Sequence, residues 1–187
     1  SFLVLDMLAS VADGCEWFGH RVNRAPVVYL ALEGEAGLSQ RVQAYRLQHG
    51  EHACKGMHFM TVPFSLLAAG DVQGLAESIA AAGAVGGVVC IDTLNRAAPG
   101  ADENSSQDMG LIIEAAKALQ MAFGGLVLLV HHTGKDAGKG LRGHSSLFAA
   151  LDAAIEVSRD GDSRAWAVAK SKDGQDGNEH PFRLEVV

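Results

Sequence analysis

Gly87-Val88-Val89-Cys90-Ile91-Asp92-Thr93 is the stretch that decides the fold of this chain. Four consecutive apolar residues run into one carboxylate, and a polar segment follows. An apolar run without alternation is typical of a strand that helices cover on both faces, as in a parallel sheet. Open α/β sheets bind their ligands at the carboxyl ends of the strands, so Asp92 is a candidate binding residue. The stretch alone leaves open that Asp92 is an ordinary turn aspartate.

Two further runs have the same character. Val27–Leu32 ends on Glu33, and Leu126–Val130 ends on the pair His131-His132. We predict that both runs are buried strands. If the three strands are parallel, Glu33, Asp92 and His131-His132 share one edge of the sheet. A glutamate there can orient a water and an aspartate can hold Mg²⁺ against phosphates, which suits hydrolysis of a phosphoanhydride.

Two alternatives at these strand ends stay open. Glu35 competes with Glu33 for the role of base, and Glu33 is favoured because it ends the strand directly. His131 and His132 are possible metal ligands, but neighbouring residues on a strand point to opposite faces, which argues against a joint site.

Helical patterns separate the strands, and the chain ends differently. Helices are expected over 1–12, 38–49, 71–82, 105–123 and 145–150, with a short strand over 57–62 and a polar loop over 95–104. The tail alternates over 165–169 and 182–186 around the turn at 173–177, which predicts an antiparallel hairpin. These elements predict one α/β domain over 1–187, with a mostly parallel sheet and an antiparallel edge.

Composition narrows the class of protein. The 187 residues are 48% hydrophobic and 20% charged, which favours one globular domain over a disordered chain. No apolar run approaches the ~18 residues of a membrane-spanning helix. The three cysteines form no CxxC pair, which indicates free thiols in a reducing compartment, and we expect the cytoplasm. The net charge of −7 argues against a uniformly basic nucleic-acid binder and still allows a local basic loop.

The order of these features resembles that of the RecA-like hexameric helicase ATPases, closest to the RepA-type replicative helicases of plasmids and phages. Val28–Glu33 is similar to the strand that carries the catalytic glutamate of that family. Val89–Leu94 resembles the Walker B segment. Leu128–Thr133 resembles the strand that ends on a γ-phosphate sensor, with His132 at the sensor position.

The resemblance continues to the end of the chain. Leu141–Ser146, with Asp152–Ala154 after it, is similar to the motif that follows the DNA-facing loop of the family. Lys170–Gly174 resembles the hairpin that reaches into the nucleotide of the neighbouring subunit. No single motif is specific, but five in the order and spacing of the family are.

The resemblance implies a RecA-like P-loop NTPase fold, a three-layer sandwich, in a protein that forms a hexameric ring. The reaction would be ATP hydrolysis coupled to translocation on single-stranded DNA or to its unwinding. Ser1 and Asp92 would hold Mg²⁺, Glu33 would position the water and His132 would sense the γ-phosphate. The other implied residues are Arg41, which matches an arginine often found in relatives and would bind nucleotide, and Lys170 and Lys172, which would act in trans.

A glycine-rich loop over 134–143 is the candidate nucleic-acid contact. Lys135, Lys139 and Arg142 give it three positive charges against Asp136. Six copies in a ring would line a channel and follow a phosphate backbone, with strong salt dependence. The loop has no aromatic residue to stack on bases, so sequence-specific reading is not expected, and on composition alone it is equally a solvated surface loop.

The loop also contains two incomplete nucleotide motifs. Gly134–Lys139 is one residue short of a phosphate loop and lacks the closing Ser or Thr. Gly138–Gly143 fits GxGxxG, but no strand immediately precedes it, as a dinucleotide fingerprint requires. We therefore assign neither motif to nucleotide binding.

The chain departs from the family pattern in two places. The phosphate loop GxxxxGK[ST] is not in the sequence, and Ser1 resembles the residue that closes it. The strand, glycines and lysine of that loop are therefore expected upstream of Ser1, and the chain as given is expected to bind nucleotide poorly. Lys172 stands where many relatives carry an arginine finger, and a lysine delivers charge without a bidentate fork.

Two other functions are compatible with these residues. One is a RecA-like regulatory or recombination ATPase without unwinding activity. The other is a non-catalytic DNA-binding or scaffold module of the same shape.

Overall fold

The computed structural model describes residues 1–132 and 145–187 of the chain. Within these residues, four parallel strands form one sheet in the order β2-β1-β3-β4, and three antiparallel strands form another in the order β5-β6-β7. The strands of the parallel sheet are β1 (Val27–Ala31), β2 (Met57–Met60), β3 (Val88–Asp92) and β4 (Leu126–Val130). Those of the antiparallel sheet are β5 (Ala153–Asp160), β6 (Ser163–Ser171) and β7 (Glu179–Phe182).

Six helices accompany the strands in the described residues. They are α1 (Phe2–Asp13), α2 (Leu38–His49), α3 (Ala69–Ala81), α4 (Leu94–Ala97), α5 (Ser106–Phe123) and α6 (Ser145–Ala150). The side chain of Ser105 caps α5 by accepting from the backbone N–H of Asp108, and Gly124 ends the helix at a φ of 70°. The predicted polar loop over 95–104 in fact begins with the single turn of α4, because Leu94 and Ala97 are buried.

Helices cover both faces of the parallel sheet. On one face, Leu5 and Leu8 of α1 pack in one cluster with Tyr29 and Cys90. On the other face, helices α3 and α5 pack on the alternate residues of the same strands, in a cluster that includes Leu30, Ile79, Ile91 and Ile112. The run of apolar residues in β1 and β3 is thus buried from both sides, and the predicted three-layer α/β fold is confirmed.

The expectation that Leu126–Val130 is a buried strand was wrong. Leu126 is 51% exposed, and the other four residues of β4 are half-buried. The reason is position, because among the described strands β4 stands at the end of the order and pairs only with β3.

The predicted antiparallel ending is confirmed, but it forms a sheet of its own rather than an edge of the parallel sheet. Its last strand lies earlier than expected, over Glu179–Phe182 instead of 182–186. The register gives the cause, since Phe182 pairs with Arg164, next to the first residue of β6. Beyond Phe182 the partner strand has ended.

A stack of aromatic rings joins the antiparallel sheet to α1. Trp17, from the segment between α1 and β1, stacks on Trp166 of β6 with ring centroids 4.5 Å apart. Trp166 stacks in turn on His180 of β7 at 4.1 Å. The indole N–H of Trp17 donates to the carboxylate of Asp6 at 2.8 Å, which fixes the stack to α1.

Candidate active site

The carboxyl ends of three strands are level with one another. Ala31 of β1 pairs with Asp92 of β3, and Asp92 pairs with Val130 of β4. Glu33 lies two residues beyond Ala31, and His132 lies two residues beyond Val130. Both therefore follow strands that flank β3. Their side chains approach to 3.9 Å, measured from Oε2 of Glu33 to Nε2 of His132. The structure thus brings Glu33, Asp92 and His132 to one edge of the sheet.

Asp92 is a buried carboxylate, and one of its two oxygens has a hydrogen-bond donor among the described residues. Asp92 is 1% exposed. Its Oδ2 accepts a hydrogen bond of 2.5 Å from the hydroxyl of Tyr29. Among the described residues, no group donates to Oδ1. A buried carboxylate oxygen without a partner is costly, so the site favours a ligand that satisfies it.

The tyrosine that holds Asp92 stays protonated. Burial raises the pKa of Tyr29 far above its ordinary value, and the neighbouring Cys90 and Asp92 raise it further. Its hydroxyl therefore keeps its proton and can donate it to Oδ2.

The free oxygen of Asp92 fits the donor set that Mg²⁺ uses with nucleotides. Mg²⁺ is usually bound by one or two carboxylates together with substrate phosphates and waters, rather than by an all-protein cage. In the part of the chain that the structure describes, no three His, Cys, Asp or Glu side chains are grouped to hold a metal ion. A single carboxylate with one open oxygen is consistent with the first arrangement.

Glu33 is held from its buried side and open to solvent on the other. The hydroxyl of Thr93, a residue that is 3% exposed, donates to Oε2 of Glu33 at 3.1 Å. The side chains of Glu33 and His132 are 46% and 62% exposed. The carboxylate is thus positioned by a buried donor and accessible to water, as a group that orients an attacking water must be.

Ser1 and Arg41 lie around the same edge. Ser1 is the N-cap of α1, and the guanidinium of Arg41 lies 5.5 Å from the ring centroid of Phe2, the next residue. Arg41 also donates to the backbone carbonyl of Gly34 at 2.9 Å, directly after Glu33. The guanidinium therefore joins the start of α1 to the turn that carries Glu33.

The two lysines predicted to act in trans contact their own chain. Nζ of Lys170 donates to the backbone carbonyls of Phe148 and Ala149, at 2.7 and 3.0 Å. Nζ of Lys172 pairs with Oδ1 of Asp152 at 2.6 Å. Neither ammonium group reaches the edge where Glu33 lies through these contacts, so a role in trans stays a prediction.

Three predicted residues lie outside the described residues: Lys135, Lys139 and Arg142. The two incomplete glycine motifs fall in the same segment, and the side chain of Glu35 is also outside the described part. The choice between Glu33 and Glu35 therefore rests on the contacts of Glu33 alone.

Sequence reasoning missed two members of the site, Tyr29 and Thr93. Tyr29 is level with Cys90, so its ring reaches diagonally toward Asp92, two residues on. A tyrosine inside a fully buried strand needs a hydrogen-bond partner for its hydroxyl. The position of Tyr29 in a predicted buried strand could therefore have indicated a polar partner nearby. The partnership of Thr93 with Glu33 depends on strand order, which the sequence does not give.

A cavity of about 500 Å³ opens beside the site at the same edge of the sheet. Glu33 forms part of its wall, with residues 61–65 after β2, Asp71 of α3 and Arg96 of α4. Solvent therefore reaches Glu33 from this side as well.

The chain is similar to known proteins in sequence and in fold. Residues 1–138 match a protein family described as an AAA domain. Among solved structures, the chain is similar to the crystal structure of the RadB recombinase, with a TM-score of 0.62 and 15% sequence identity over 98% of this chain and 81% of that one. The predicted RecA-like fold is thereby confirmed. No curated protein sequence matches the chain.

In residues 1–132 and 145–187, none of the helices combines the length and the apolar character that crossing a bilayer requires.

Proposed function

Because the chain belongs to the AAA domain family, we propose that it hydrolyses ATP at the edge formed by Glu33, Asp92 and His132. The observation that carries the proposal is the approach of Glu33 and His132 to 3.9 Å across the end of β3, where Asp92 keeps one buried oxygen open. A carboxylate for water, a carboxylate for a cation and a polar group for phosphate are the parts that phosphoryl transfer to water requires.

In this proposal Glu33 accepts a hydrogen bond from the attacking water and takes up its proton as the bond from phosphorus to the leaving ADP oxygen breaks. Thr93 fixes the orientation of Glu33 through the hydrogen bond of 3.1 Å. His132 donates to an oxygen of the γ-phosphate. Asp92 and Ser1 would hold Mg²⁺, which supplies charge neutralisation of the phosphates when it is bound.

Arg41 is proposed to contact the nucleotide. Its guanidinium lies between Phe2 at the start of α1 and the carbonyl of Gly34, so a triphosphate at this edge would lie next to a fixed positive charge. Arginine suits phosphate because its planar fork binds two oxygens at once.

Of the two lysines proposed to act in trans, Lys172 is the stronger candidate. Its described side-chain partner is the exposed carboxylate of Asp152, and exposed pairs of this kind exchange easily because solvent and salt screen them. Nζ of Lys170, in contrast, donates to two backbone carbonyls of its own chain.

The activity is proposed to be coupled to single-stranded DNA in a hexameric ring of the RepA-type helicases, in the cytoplasm. Lys135, Lys139 and Arg142 would contact the DNA backbone. The support is the order of motifs along the chain.

A second candidate is a RecA-like recombination or regulatory ATPase that hydrolyses ATP without unwinding DNA. The observation that favours it is the structural similarity to a protein named as a recombinase. A strand-displacement assay on a forked duplex separates the two, since only the helicase releases the displaced strand.

The test of the proposed hydrolysis is Glu33→Gln in the full-length protein, including any residues that precede Ser1. We expect ATP turnover to fall by on the order of 10²-fold or more, with nucleotide affinity retained, because the change removes proton acceptance and keeps the shape. Glu35→Gln is the matched control and should retain turnover. Loss of turnover in Glu35→Gln alone would move the base to that residue, and undiminished turnover in both variants would refute the proposed site.

A further inference from the structure

We propose that Lys170 is a positioning residue that fastens α6 to β6, so that the place of α6 sets the place of Lys172. The inference rests on the proposed function, in which Lys172 acts on the nucleotide of a neighbouring subunit. It assigns Lys170 a role within its own chain, in place of the role in trans that the family resemblance implies.

The first support is the chemistry at the end of α6. The last carbonyls of a helix have no N–H partner within the helix, and a cation near them is favoured by the helix dipole. Nζ of Lys170 donates to two of these carbonyls, those of Phe148 and Ala149. The same ammonium lies 5.2 Å from the ring centroid of Phe148, a distance at which a cation is attracted to the face of the ring.

The second support is the position of Lys172. Lys170 lies on β6 and Lys172 directly follows its last residue, and the side chains of both contact the same segment of chain. The backbone N–H of Lys172 donates to the carbonyl of Asp152 at 3.0 Å, and Nζ of Lys172 donates to the carboxylate of Asp152 at 2.6 Å. The whole segment 148–152 is therefore bound to the end of β6 by these two side chains.

The third support is the packing of α6. Leu147 is 4% exposed and packs in the cluster that contains Met109 and Ile112 of α5. Phe148, the next residue, is 37% exposed. In the proposal, Leu147 holds α6 against α5 and Lys170 holds its C-terminal end, so a displacement of α6 is passed to β6, and so to Lys172.

The proposed nucleic-acid residues, 135–142, directly precede α6 in sequence. In the proposal, an effect of DNA on the position of α6 is passed to Lys170 and from there to Lys172. The pair of Lys172 with Asp152 marks the state in which Lys172 is kept from a neighbouring nucleotide, because one ammonium cannot serve both partners fully.

The experiment uses the full-length protein with Lys170→Met, which keeps the length of the side chain and removes the charge. Hydrogen exchange is measured on the peptides that contain 145–152. We expect exchange there to become about tenfold faster, the change that follows from the loss of a charge-assisted hydrogen bond. Lys170→Arg, which keeps the donors, should restore the slow exchange, and Lys55→Met, at an exposed lysine, should leave it unchanged.

Two activity readouts separate positioning from direct contact with nucleotide. The stimulation of ATP turnover by single-stranded DNA should fall in Lys170→Met, and Lys170→Arg should recover it. In rings mixed with excess wild-type subunits, Lys172→Met should lower turnover in proportion to its share, because it disables a neighbouring site. Lys170→Met added to Lys172→Met should cause no further loss, because Lys170 acts through Lys172. Unchanged exchange over 145–152, or a further loss in the double variant, would overturn the inference.

The two proposals fail in different ways. If the wild-type protein hydrolyses no ATP, the proposed function fails, and the exchange measurement still decides whether Lys170 fastens α6. If the wild-type protein hydrolyses ATP and Lys170→Met exchanges normally, the inference alone fails.

Discussion

The hydroxyl of Tyr29 donates to Oδ2 of buried Asp92 over 2.5 Å. Among the described residues, no group donates to the other oxygen, Oδ1. We predict that Tyr29→Phe lowers the free energy of unfolding by about 1–3 kcal/mol, because it leaves a buried carboxylate without a described donor. The measurement is the midpoint of urea unfolding at constant m-value.

The control for this prediction is a double-mutant cycle with Asp92→Asn. Asparagine keeps the shape of Asp92 and removes its charge, so the cost of Tyr29→Phe should become smaller in that background. An equal cost in both backgrounds would mean that the loss comes from packing of the ring and not from the hydrogen bond.

Thr93 positions Glu33, and its hydroxyl can be removed almost isosterically. We predict that Thr93→Val lowers kcat for ATP about tenfold, or ~1.4 kcal/mol of barrier, because Glu33 loses the donor that fixes its carboxylate. KM for ATP should change little, since the described side-chain hydrogen bond of Thr93 is with Glu33.

Thr93→Ser is the matched control, as it retains the hydroxyl and loses only the methyl group. Its kcat should stay close to that of the wild type. If Thr93→Ser falls as far as Thr93→Val, the methyl contact and not the hydrogen bond supports the site.

The strand ends were predictable from sequence because each one is marked by a pattern within a few consecutive residues. In Val27–Leu32 and Gly87–Thr93, a run of apolar residues stops at a carboxylate, and burial on two faces requires a parallel sheet with helices on both sides. Parallel strands bring their carboxyl ends together, so Glu33 and Asp92 were expected at one edge without knowledge of the strand order.

What depends on strand order was not predictable. Leu126–Val130 is as apolar as β1, yet it is half-exposed, because it stands at the end of the order of the described strands, where its one neighbour is β3. The contact of Thr93 with Glu33 likewise exists only because β1 and β3 are adjacent. The separate antiparallel sheet was missed because alternation predicts antiparallel pairing but not which sheet the strands join.

The cysteines differ in environment and should differ in reactivity. Burial raises the pKa of the Cys54 thiol to about 11, and the nearby carboxylate of Asp13 raises it too, while Arg46 lowers it. Burial also raises the pKa of Cys90. Cys15 is exposed.

We therefore predict that iodoacetamide at pH 8 alkylates Cys15 in the folded protein and leaves Cys54 and Cys90 unmodified over the same time. A thiol with a pKa near 11 is only about one part in a thousand thiolate at pH 8, and the thiolate is the reactive form. Peptide mass spectrometry gives the labelled fraction of each site. Unfolding in urea should equalise the three rates, and native labelling of Cys54 at the rate of Cys15 would contradict its burial.

Two glycines lie where the backbones of β1, β3 and β4 begin side by side. A Cβ at Gly125 would lie 2.1 Å from the carbonyl oxygen of Gly87, and a Cβ at Gly87 would lie 2.2 Å from that of Pro26. Both contacts are with backbone, which cannot rotate away. We predict that Gly125→Ala and Gly87→Ala each destabilise the protein by more than about 1 kcal/mol.

Gly110 is the matched control within the same protein. It lies inside α5, and a Cβ there would meet no atom within 4 Å. Gly110→Ala should therefore stabilise the protein by about 0.5–1 kcal/mol, because alanine loses less conformational freedom in a helix. Thermal unfolding of the three variants gives the comparison. Opposite signs at Gly110 and Gly125 support the close approach of the strands, whereas a stabilising Gly125→Ala would show that β3 and β4 do not begin in contact.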